Sequence, residues 1–373
     1  MAMRGSVTGT VARQAMVCAS SGSSCCPRAR RSGTREFPSA PLPLRQTPWP
    51  VSAESPGTTI SMRTIPLPPL SLPFPQKLNP HNLQAWPHTV EWVKRFHLLP
   101  EKVIPHFRTL DYHWLSAYAF PEANLEQLIL INDCMTAFYL FDKHWDDAPP
   151  EALESMQASL LAALWGRPPG DTPEGPLENA MRDMRRRMMK FSTDAWMTRF
   201  CESLEAYFKA CVWEAKNKSN HQVPDVATYI REREATGAVQ PSFELAGVLG
   251  LVQIPPSVLE EPTIKRLNQL ANHEITLFND LISLEKEMRV GDMHNLVFII
   301  QNEQKCSLEE AMRQAAKMHD DEVLEFLELE TRLPTWGEPL DTEVRRYVDV
   351  LRCWMRANMD WSLMSERYKA PAA

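Results

Sequence analysis

Residues 260–291 read EEPTIKRLNQLANHEITLFNDLISLEKEMRVG, and they predict one long helix that contains a polar stripe. Apolar residues recur along it at helical spacing. Three oxygen-bearing side chains, Asn279, Ser283 and Glu287, follow one another at steps of four. A helix turns by about 100° per residue, so these side chains lie on one face. Their neighbours are mostly apolar, and a polar stripe on a buried helix needs a partner.

Magnesium is a partner that suits this stripe. An amide carbonyl, a hydroxyl and a carboxylate are all hard oxygen ligands, which Mg²⁺ prefers. On an exposed helix the same spacing would be an ordinary solvated stripe. The apolar residues before and within the segment argue against exposure here. The segment therefore predicts a metal-binding face on an otherwise buried helix.

A second acidic cluster lies in FYLFDKHWDDAP, residues 138–149. Asp142 and Asp146 are four residues apart and Asp147 follows, after the strongly apolar run ILINDCMTAFYLF. Taken alone, this cluster is either a solvated helix end or a metal-binding face at the mouth of a pocket.

The chain after about residue 87 reads as a succession of helices. It has 373 residues, of which 44% are hydrophobic and 23% charged, which is ample for a sizeable core. Alternating strand patterns are hard to find, and proline- and glycine-rich stretches such as WGRPPGDTPEGP separate the helical segments. We predict an all-α fold of about ten to twelve helices, in one domain that spans residues 62–373.

Residues 1–61 differ from the rest of the chain. They hold seven arginines and only two acids, a net charge of +5, whereas the whole chain carries −7 and the remainder therefore −12. An Arg- and Ser-rich, acid-poor start is typical of organelle transit peptides. The favoured interpretation is a disordered or mis-assigned extension, with Met62 as the natural start. Either interpretation places these residues outside the fold.

Composition and patterning exclude several classes of protein. No apolar run approaches the roughly 20 residues of a membrane span, and no secretion signal is present. An acidic body argues against nucleic acid as a partner. The eight cysteines form no CxxC pair and predict buried free thiols in a reducing compartment. We expect a cytoplasmic protein, with organelle import through residues 1–61 left open.

Several short motifs occur in the order found in class I terpene synthases, which residues 62–373 resemble over essentially their whole length. NDLISLEKE matches the second metal-binding motif of that family at every defining position, and DKHWD resembles its Asp-rich motif. The other segments with a resemblance are PFPQKLNPHN (73–82), the diphosphate-sensing segment REATG (233–237), VGDMHNLV (290–297) and the Arg-Tyr pair in ERYK (366–369). Each motif is weak alone, but together and in order they are specific.

The resemblance implies an α-bundle around a central apolar pocket, three Mg²⁺ ions as cofactors and an isoprenyl diphosphate as substrate. The implied metal ligands are Asp142, Asp146, Asn279, Ser283 and Glu287. The implied diphosphate-binding residues are Arg233, Lys286, Arg367 and Tyr368. The implied catalytic residues are Arg233 as sensor of the diphosphate, Thr236 as linker, Gly237 as effector, Arg367 and Tyr368. Gly237, followed by Pro241, also predicts a helix break on its own.

Lys143 departs from the family pattern, in which Asp, Glu or Asn follows the first Asp. It points about 100° away from Asp142, so Asp142 stays a predicted ligand. Asp146 is predicted to be a ligand or to lie just behind the ligands, and Asp147 is left open. The lysine either weakens metal affinity or marks a member with altered activity.

Aromatic residues near the motifs are candidates for the wall of the pocket. The implied reaction passes through a carbocation, which an aromatic face stabilises by about 0.5–2 kcal/mol. Trp354 and Trp361 precede Tyr368 at steps of seven, which predicts one shared helical face. The candidates are Phe138, Tyr139, Phe278, Trp354 and Trp361, with Trp114 as a weaker one. Ordinary core packing is the alternative for each.

The resemblance implies a lyase that ionises and cyclises an isoprenyl diphosphate, with farnesyl diphosphate as the expected substrate and a sesquiterpene as the product. Shorter and longer diphosphates stay open, as does the way the reaction ends. A chain-elongating prenyltransferase of the same architecture would carry a second Asp-rich motif in place of residues 279–287. A non-catalytic all-α binding protein is favoured only by Lys143. Homodimers are frequent in the family, but the sequence leaves the oligomeric state open.

Overall fold

The computed structural model describes residues 66–145, 148–169 and 174–368. This part of the chain contains fourteen α-helices, a 3-10 turn at Glu101–Val103 and no strand. The helices are α1 Asn82–Arg95, α2 Ile104–Thr109, α3 Tyr112–Ala119, α4 Leu125–Trp145, α5 Pro150–Leu164, α6 Pro176–Met188, α7 Asp194–Ser219, α8 Val226–Thr236, α9 Val239–Val248, α10 Pro256–Leu259, α11 Pro262–Val290, α12 Leu296–Gln304, α13 Leu308–Glu330 and α14 Leu340–Met364.

The all-α class is confirmed, and the structure has more helices than the ten to twelve predicted. The additional elements are α2, α3 and α10, which have six, eight and four residues. Such short helices offer about two turns of periodicity or fewer, so their pattern is weak in the sequence. The proposed extension, residues 1–61, lies outside the described residues, and its boundary stays a prediction.

The helix α11 lies at the centre of the bundle. Its residues 270–281 are all buried except the half-buried Asn279, and it packs against α8, α13 and α14. A helix that is buried on every side is expected in the core of a large domain. The Glu261 side chain accepts hydrogen bonds from the first turn, and Pro262 takes the first helical position. Gly291 ends the helix with a left-handed φ of 73°.

The state of the cysteines and the apolar character of the helices can be compared directly with the sequence. The described cysteines are free; Cys134, Cys201 and Cys353 are buried, whereas Cys211 and Cys306 are half-buried. None of the described helices combines the length and the apolar character that a membrane crossing needs.

His273 joins three helices through both of its ring nitrogens. Its Nε2 lies 2.8 Å from Glu234 Oε1 on α8, and its Nδ1 lies 3.1 Å from Glu322 Oε1 on α13. Burial alone would lower the pKa of His273, but the two carboxylates outweigh burial and raise it to about 9. The imidazolium therefore ties α8 and α13 to α11 at neutral pH.

This arrangement predicts a stability that declines in alkaline solution. The raised pKa means that the contribution of His273 is complete below pH 6.5 and is lost as the pH rises through about 9. We expect the free energy of unfolding to fall by about 3 kcal/mol over this range. Urea unfolding of the wild type and of His273→Gln at several pH values measures the difference, because the variant lacks the imidazole that titrates here. An equal pH slope in the two proteins would contradict the assignment.

Candidate active site

A cavity lies among α3, α4, α7, α8, α9, α11 and α14, and it brings most of the predicted site residues together. Aliphatic and aromatic side chains contribute much of its wall, among them Leu115, Met135, Phe138, Val239 and Ile275. Its charged and polar lining includes Asp142, Thr236, Asn279 and both predicted arginines. An apolar wall with a few convergent polar groups is the usual form of a small-molecule site.

The C-terminal Arg-Tyr pair links the two predicted metal-binding helices. Arg367 Nη2 donates to Asp142 Oδ2 on α4 at 2.9 Å, and the Tyr368 hydroxyl accepts from Asn279 Nδ2 on α11 at 2.9 Å. The guanidinium of Arg367 also lies 5.0 Å from the ring centre of Tyr139. The first residue of each metal motif, Asp142 and Asn279, therefore lies at one region of the cavity, next to two groups that can bind a diphosphate.

Arg233 contacts the oxygen of the Asn279 amide, whereas Tyr368 contacts its nitrogen. Its Nη2 donates to Asn279 Oδ1 at 3.0 Å and to Asp280 Oδ1 at 2.8 Å, and its Nε donates to the same Asp280 oxygen at 3.1 Å. Asp280 is itself buried and also accepts from the Tyr229 hydroxyl at 2.8 Å. The planar fork of Arg233 is thus fixed in orientation, and its side chain is only 16% exposed.

The chain breaks between α8 and α9 beside Arg233. Ala238 adopts a left-handed conformation with φ 54°, which is uncommon for a residue with a Cβ. Gly237 is in the right-handed region, but a Cβ added to it would lie 2.6 Å from Thr276 Cγ2. Both residues line the cavity. Glycine is needed here because α11 approaches the break too closely for a side chain.

Replacing Gly237 by alanine should therefore push α8 and α9 away from α11. We expect a loss of about 1–3 kcal/mol of stability, as for other overpacked sites. Thr276→Ser removes the methyl group that the new Cβ would meet, so the double variant should recover most of the loss. Thermal unfolding of the two single variants and the double variant measures this. Additive losses in the double variant would show that the contact with Thr276 is not the cause.

The predicted metal face of α11 begins at Asn279 and continues away from the cavity lining. Ser283 is 2% exposed, and its hydroxyl lies near Glu287 but makes no hydrogen bond of good geometry. Glu287 Oε2 accepts from Asn295 Nδ2 at 2.8 Å. Burial, followed by the nearby Asp280 carboxylate, raises the pKa of Glu287 to about 7.

These residues fit a magnesium ion. The buried Ser283 hydroxyl makes no well-formed hydrogen bond to the protein, which is costly unless something else binds it. Its neighbours on the face supply an amide oxygen and a carboxylate, so the donor set is the one that Mg²⁺ prefers. A bound cation would also favour the ionised form of Glu287.

The structure separates the aromatic candidates into two groups. Phe138, Tyr139 and Trp354 line the cavity. Phe278 is not among the lining residues and packs near His319, with ring centres 6.3 Å apart. Trp361 is fully buried behind the wall, where its Nε1 donates to the Leu110 carbonyl at 3.3 Å. The weaker candidate Trp114 packs against Tyr118 instead.

The prediction that Trp354, Trp361 and Tyr368 share one helical face is wrong at its end. The helix α14 stops at Met364, and Ser365 is extended with ψ 142°. Tyr368 therefore leaves the helix, although its ring still contacts Trp361 edge-on at 5.9 Å. Because the chain leaves the helix here, Arg367 can reach Asp142 on α4 and Tyr368 can reach Asn279 on α11.

Comparison with known proteins shows to which family the chain belongs. The family model described as terpene synthase family 2, C-terminal metal binding, matches residues 133–325. A (+)-T-muurolol synthase of Roseiflexus castenholzii, named as cyclising (2E,6E)-farnesyl diphosphate, is 34% identical over 303 residues, which are 80% of this chain and 93% of that one. The chain belongs to the class I terpene synthases.

Further relatives agree with this assignment. A 10-epi-cubebol synthase of Sorangium cellulosum is 32% identical over 314 residues, 82% of this chain and 98% of that one. The crystal structure of germacradien-4-ol synthase from Streptomyces citricolor superposes with a TM-score of 0.69 at 27% identity, over 79% of this chain and 97% of that one. The terpene synthase fold therefore accounts for most of the described helices.

Three predicted site positions remain to be placed. Asp146 and Asp147 lie outside the described residues, so their roles in this terpene synthase stay predictions. Lys286 is half-buried and is not among the residues that line the cavity. Its predicted contact with the diphosphate also stays a prediction.

The candidate site also contains residues that the sequence did not predict. Asp280 holds Arg233, and Asn358 lines the cavity while its Nδ2 donates to the Ile275 carbonyl at 3.2 Å. A charged residue in a buried helix always needs a partner, and that signal could have identified Asp280.

A second cleft, of about 330 Å³, opens between α7, α9, α10 and α11. It is lined mostly by charged and amide side chains, including Arg199, Glu202, Lys265, Asn268 and Gln269. Such a wall does not suit an isoprenoid chain. The cavity that is lined by Asp142, Asn279 and the two predicted arginines is therefore the candidate active site.

Proposed function

We propose that this terpene synthase ionises and cyclises farnesyl diphosphate in a Mg²⁺-dependent reaction, with release of diphosphate and a sesquiterpene. One observation carries the proposal. The oxygen face that begins at Asn279 and the two arginines, Arg233 and Arg367, converge on one cavity whose remaining wall is largely aliphatic and aromatic. The chain length of the substrate is supported by the (+)-T-muurolol synthase, which is named for farnesyl diphosphate.

The polar residues would act on the diphosphate. Asp142 and the face of Asn279, Ser283 and Glu287 would hold Mg²⁺, three ions in the family pattern, and the bound metal would supply the positive charge that makes the diphosphate a better leaving group. Arg233 and Arg367 add charge-assisted hydrogen bonds, which strengthen as negative charge develops on the departing oxygen. Both guanidiniums are held by carboxylates in the structure, so they are oriented before substrate arrives.

The apolar wall would act on the carbocation. Phe138, Tyr139 and Trp354 present aromatic side chains to the cavity, each able to stabilise a cation by about 0.5–2 kcal/mol. Burial raises the pKa of the Tyr139 hydroxyl well above its usual value, so this group stays neutral and does not act as a base at pH 7. The aliphatic and aromatic part of the wall would also help to keep water from the reactive intermediate.

Diphosphate release from substrates of different length tests the proposal. The full chain is incubated with Mg²⁺ and geranyl, farnesyl or geranylgeranyl diphosphate, and kcat/KM is measured for each. We expect the highest value with farnesyl diphosphate, and no release when a chelator is present. Absence of release from all three would contradict the proposal. Release only when isopentenyl diphosphate is added would indicate a chain-elongating enzyme instead.

Ser283→Ala separates metal binding from folding. Its hydroxyl makes no hydrogen bond of good geometry, so its removal should change the melting temperature of the metal-free protein very little. In contrast, stabilisation by Mg²⁺ plus inorganic diphosphate, about 2.7 kcal/mol at one hundred times Kd, should shrink. Thermal unfolding with and without both additives measures this. Full stabilisation of the variant would remove Ser283 from the predicted ligands.

A further inference from the structure

Asn295 begins α12 and lies against the metal-binding face of α11. It is fully buried. Its Oδ1 accepts from the backbone nitrogen of Val297 at 2.9 Å and so caps the helix. Its Nδ2 donates to the backbone oxygen of Asp280 at 2.7 Å and to Glu287 Oε2 at 2.8 Å. One side-chain amide therefore bonds to the first turn of α12 and to two separate turns of α11.

The orientation of this amide is determined by its partners. The helix cap needs an acceptor, so the oxygen must face Val297. Both groups on the α11 side are oxygens, so the nitrogen must face them. The two donors of the amide nitrogen are thereby both used, one on the backbone of α11 and one on the carboxylate of Glu287. A side chain held at three points has little freedom to turn.

The same short segment also contacts the diphosphate-sensing arginine. The backbone nitrogen of Leu296 donates to Asp280 Oδ2 at 3.0 Å, while Arg233 binds the other oxygen of that carboxylate. Residues 295 and 296 therefore contact both the carboxylate that holds Arg233 and the carboxylate of Glu287. The position of one relative to the other depends on this segment.

The loop before Asn295 is held from α7. Lys218 Nζ lies 2.8 Å from Asp292 Oδ2, and Asp292 Oδ1 accepts from the backbone nitrogen of His294 at 2.9 Å. The loop is thus tied down at both ends, by Asp292 and by Asn295. Because the loop is anchored, the Asn295 side chain keeps its direction. A mobile side chain could not orient the Glu287 carboxylate.

We propose that Asn295 is a positioning residue that holds the Glu287 carboxylate in the orientation in which it binds Mg²⁺. The inference rests on the proposed function, because that function requires metal at this face. Partners behind a metal ligand typically change metal affinity by 10- to 100-fold when removed. Asn295 makes no contact with the diphosphate in this account and acts only through Glu287.

The chain provides a closely matched control in Asn79. Its Oδ1 accepts from the backbone nitrogen two residues on, and its Nδ2 donates to two oxygens, the carbonyls of Phe120 and Ala123, at 2.8 and 2.7 Å. It is 1% exposed. The hydrogen bonds of Asn79 and Asn295 thus have the same pattern, except that one acceptor of Asn295 is the Glu287 carboxylate.

Mn²⁺ titration followed by electron paramagnetic resonance, with inorganic diphosphate present, tests the proposal on the full chain. Asn295→Ser and Asn79→Ser remove the same amide, and serine keeps a helix-capping hydroxyl. We expect both variants to melt at a lower temperature. Only Asn295→Ser should raise the Kd for Mn²⁺ by tenfold or more, and saturating Mg²⁺ should restore most of its turnover. An equal Kd in the two variants would overturn the proposal.

Asn295→Asp keeps the test decisive if the serine variant does not fold. Aspartate retains the size and the capping oxygen, but its ionised form cannot donate to Glu287, so the Kd should again rise by at least tenfold. A wild-type Kd in that variant would overturn the proposal.

Mn²⁺ binding by the wild-type protein distinguishes failure of the proposed function from failure of the role of Asn295. Absence of saturable Mn²⁺ binding would refute the metal site and the proposed function, whereas normal wild-type binding with unaffected variants would refute the role of Asn295 alone.

Discussion

Replacing Glu287 with alanine is expected to lower kcat/KM for farnesyl diphosphate by about 10³-fold, which corresponds to about 4 kcal/mol of transition-state stabilisation. Glu287 supplies the only carboxylate of the three-residue face on α11. Its loss leaves an amide and a hydroxyl, which bind Mg²⁺ weakly without a negative charge. In the proposed reaction bound Mg²⁺ would neutralise the leaving group, so the loss should appear in kcat as well as in the Mg²⁺ requirement.

Glu285→Ala is the matched control for this prediction. Glu285 is on the same helix, two residues away and about 200° around it, so it does not share the face of Glu287. We expect nearly unchanged turnover in this variant. Steady-state kinetics at several Mg²⁺ concentrations, together with melting temperatures, distinguish lost metal binding from lost folding. Retention of more than a tenth of wild-type activity by a folded Glu287→Ala protein would contradict the metal assignment.

Arg233→Lys is expected to lower kcat/KM by about 10²- to 10³-fold, or roughly 3–4 kcal/mol. The lysine keeps the charge but cannot donate at once to Asp280 and Asn279, as the guanidinium does. It can bind a diphosphate only as a point charge, without the fixed fork. The three side chains of the metal-binding face are all retained, so stabilisation by Mg²⁺ alone should persist.

Arg231→Lys provides the control on the same helix. The Arg231 side chain is 66% exposed. Within the described part of the chain, its ion pair is with the neighbouring Glu232. Its replacement should have no measurable effect, because exposed pairs contribute little. Single-turnover rates of the two variants, measured at saturating Mg²⁺, test the comparison. Equal rates in the two lysine variants would show that the fork of Arg233 has no part in ionisation.

Long helices and motif positions could be predicted from the sequence because both depend on local spacing. The segment 125–145 reads as a helix from its apolar periodicity alone, and α4 has those bounds. The stripe of Asn279, Ser283 and Glu287 follows from helical geometry in the same way. The short α2 and α3 could not be predicted, because packing against neighbours stabilises such helices more than their own sequence does.

Contacts across the bundle could not be predicted from spacing. Phe278 immediately precedes the metal-binding face, yet it packs against His319 on α13, because adjacent residues on a helix point in different directions. The end of α14 was also misjudged. Steps of seven suggested a continuing helix, but the Ser365 hydroxyl donates to the Leu110 carbonyl and accepts from the Arg367 nitrogen, and these bonds stabilise an extended turn.

Asn295 illustrates the limit most clearly. An asparagine before the apolar run LVFII reads as a helix cap, and that role is present in the structure. Its bonds to Asp280 and Glu287 join two helices, so no local pattern contains them. The sequence can suggest which residues bind metal, but the residues that orient those ligands become visible only in three dimensions.

Product analysis tests the central claim most directly. The full chain is incubated with farnesyl diphosphate and Mg²⁺, and the extract is examined by gas chromatography and mass spectrometry, with a chelator and the Glu287→Ala protein as parallel reactions. The account predicts a cyclic C15 hydrocarbon or alcohol in the complete reaction and none in the two controls. Unreacted substrate, or only the linear alcohol formed by hydrolysis, in the presence of a folded, Mg²⁺-binding protein would contradict it.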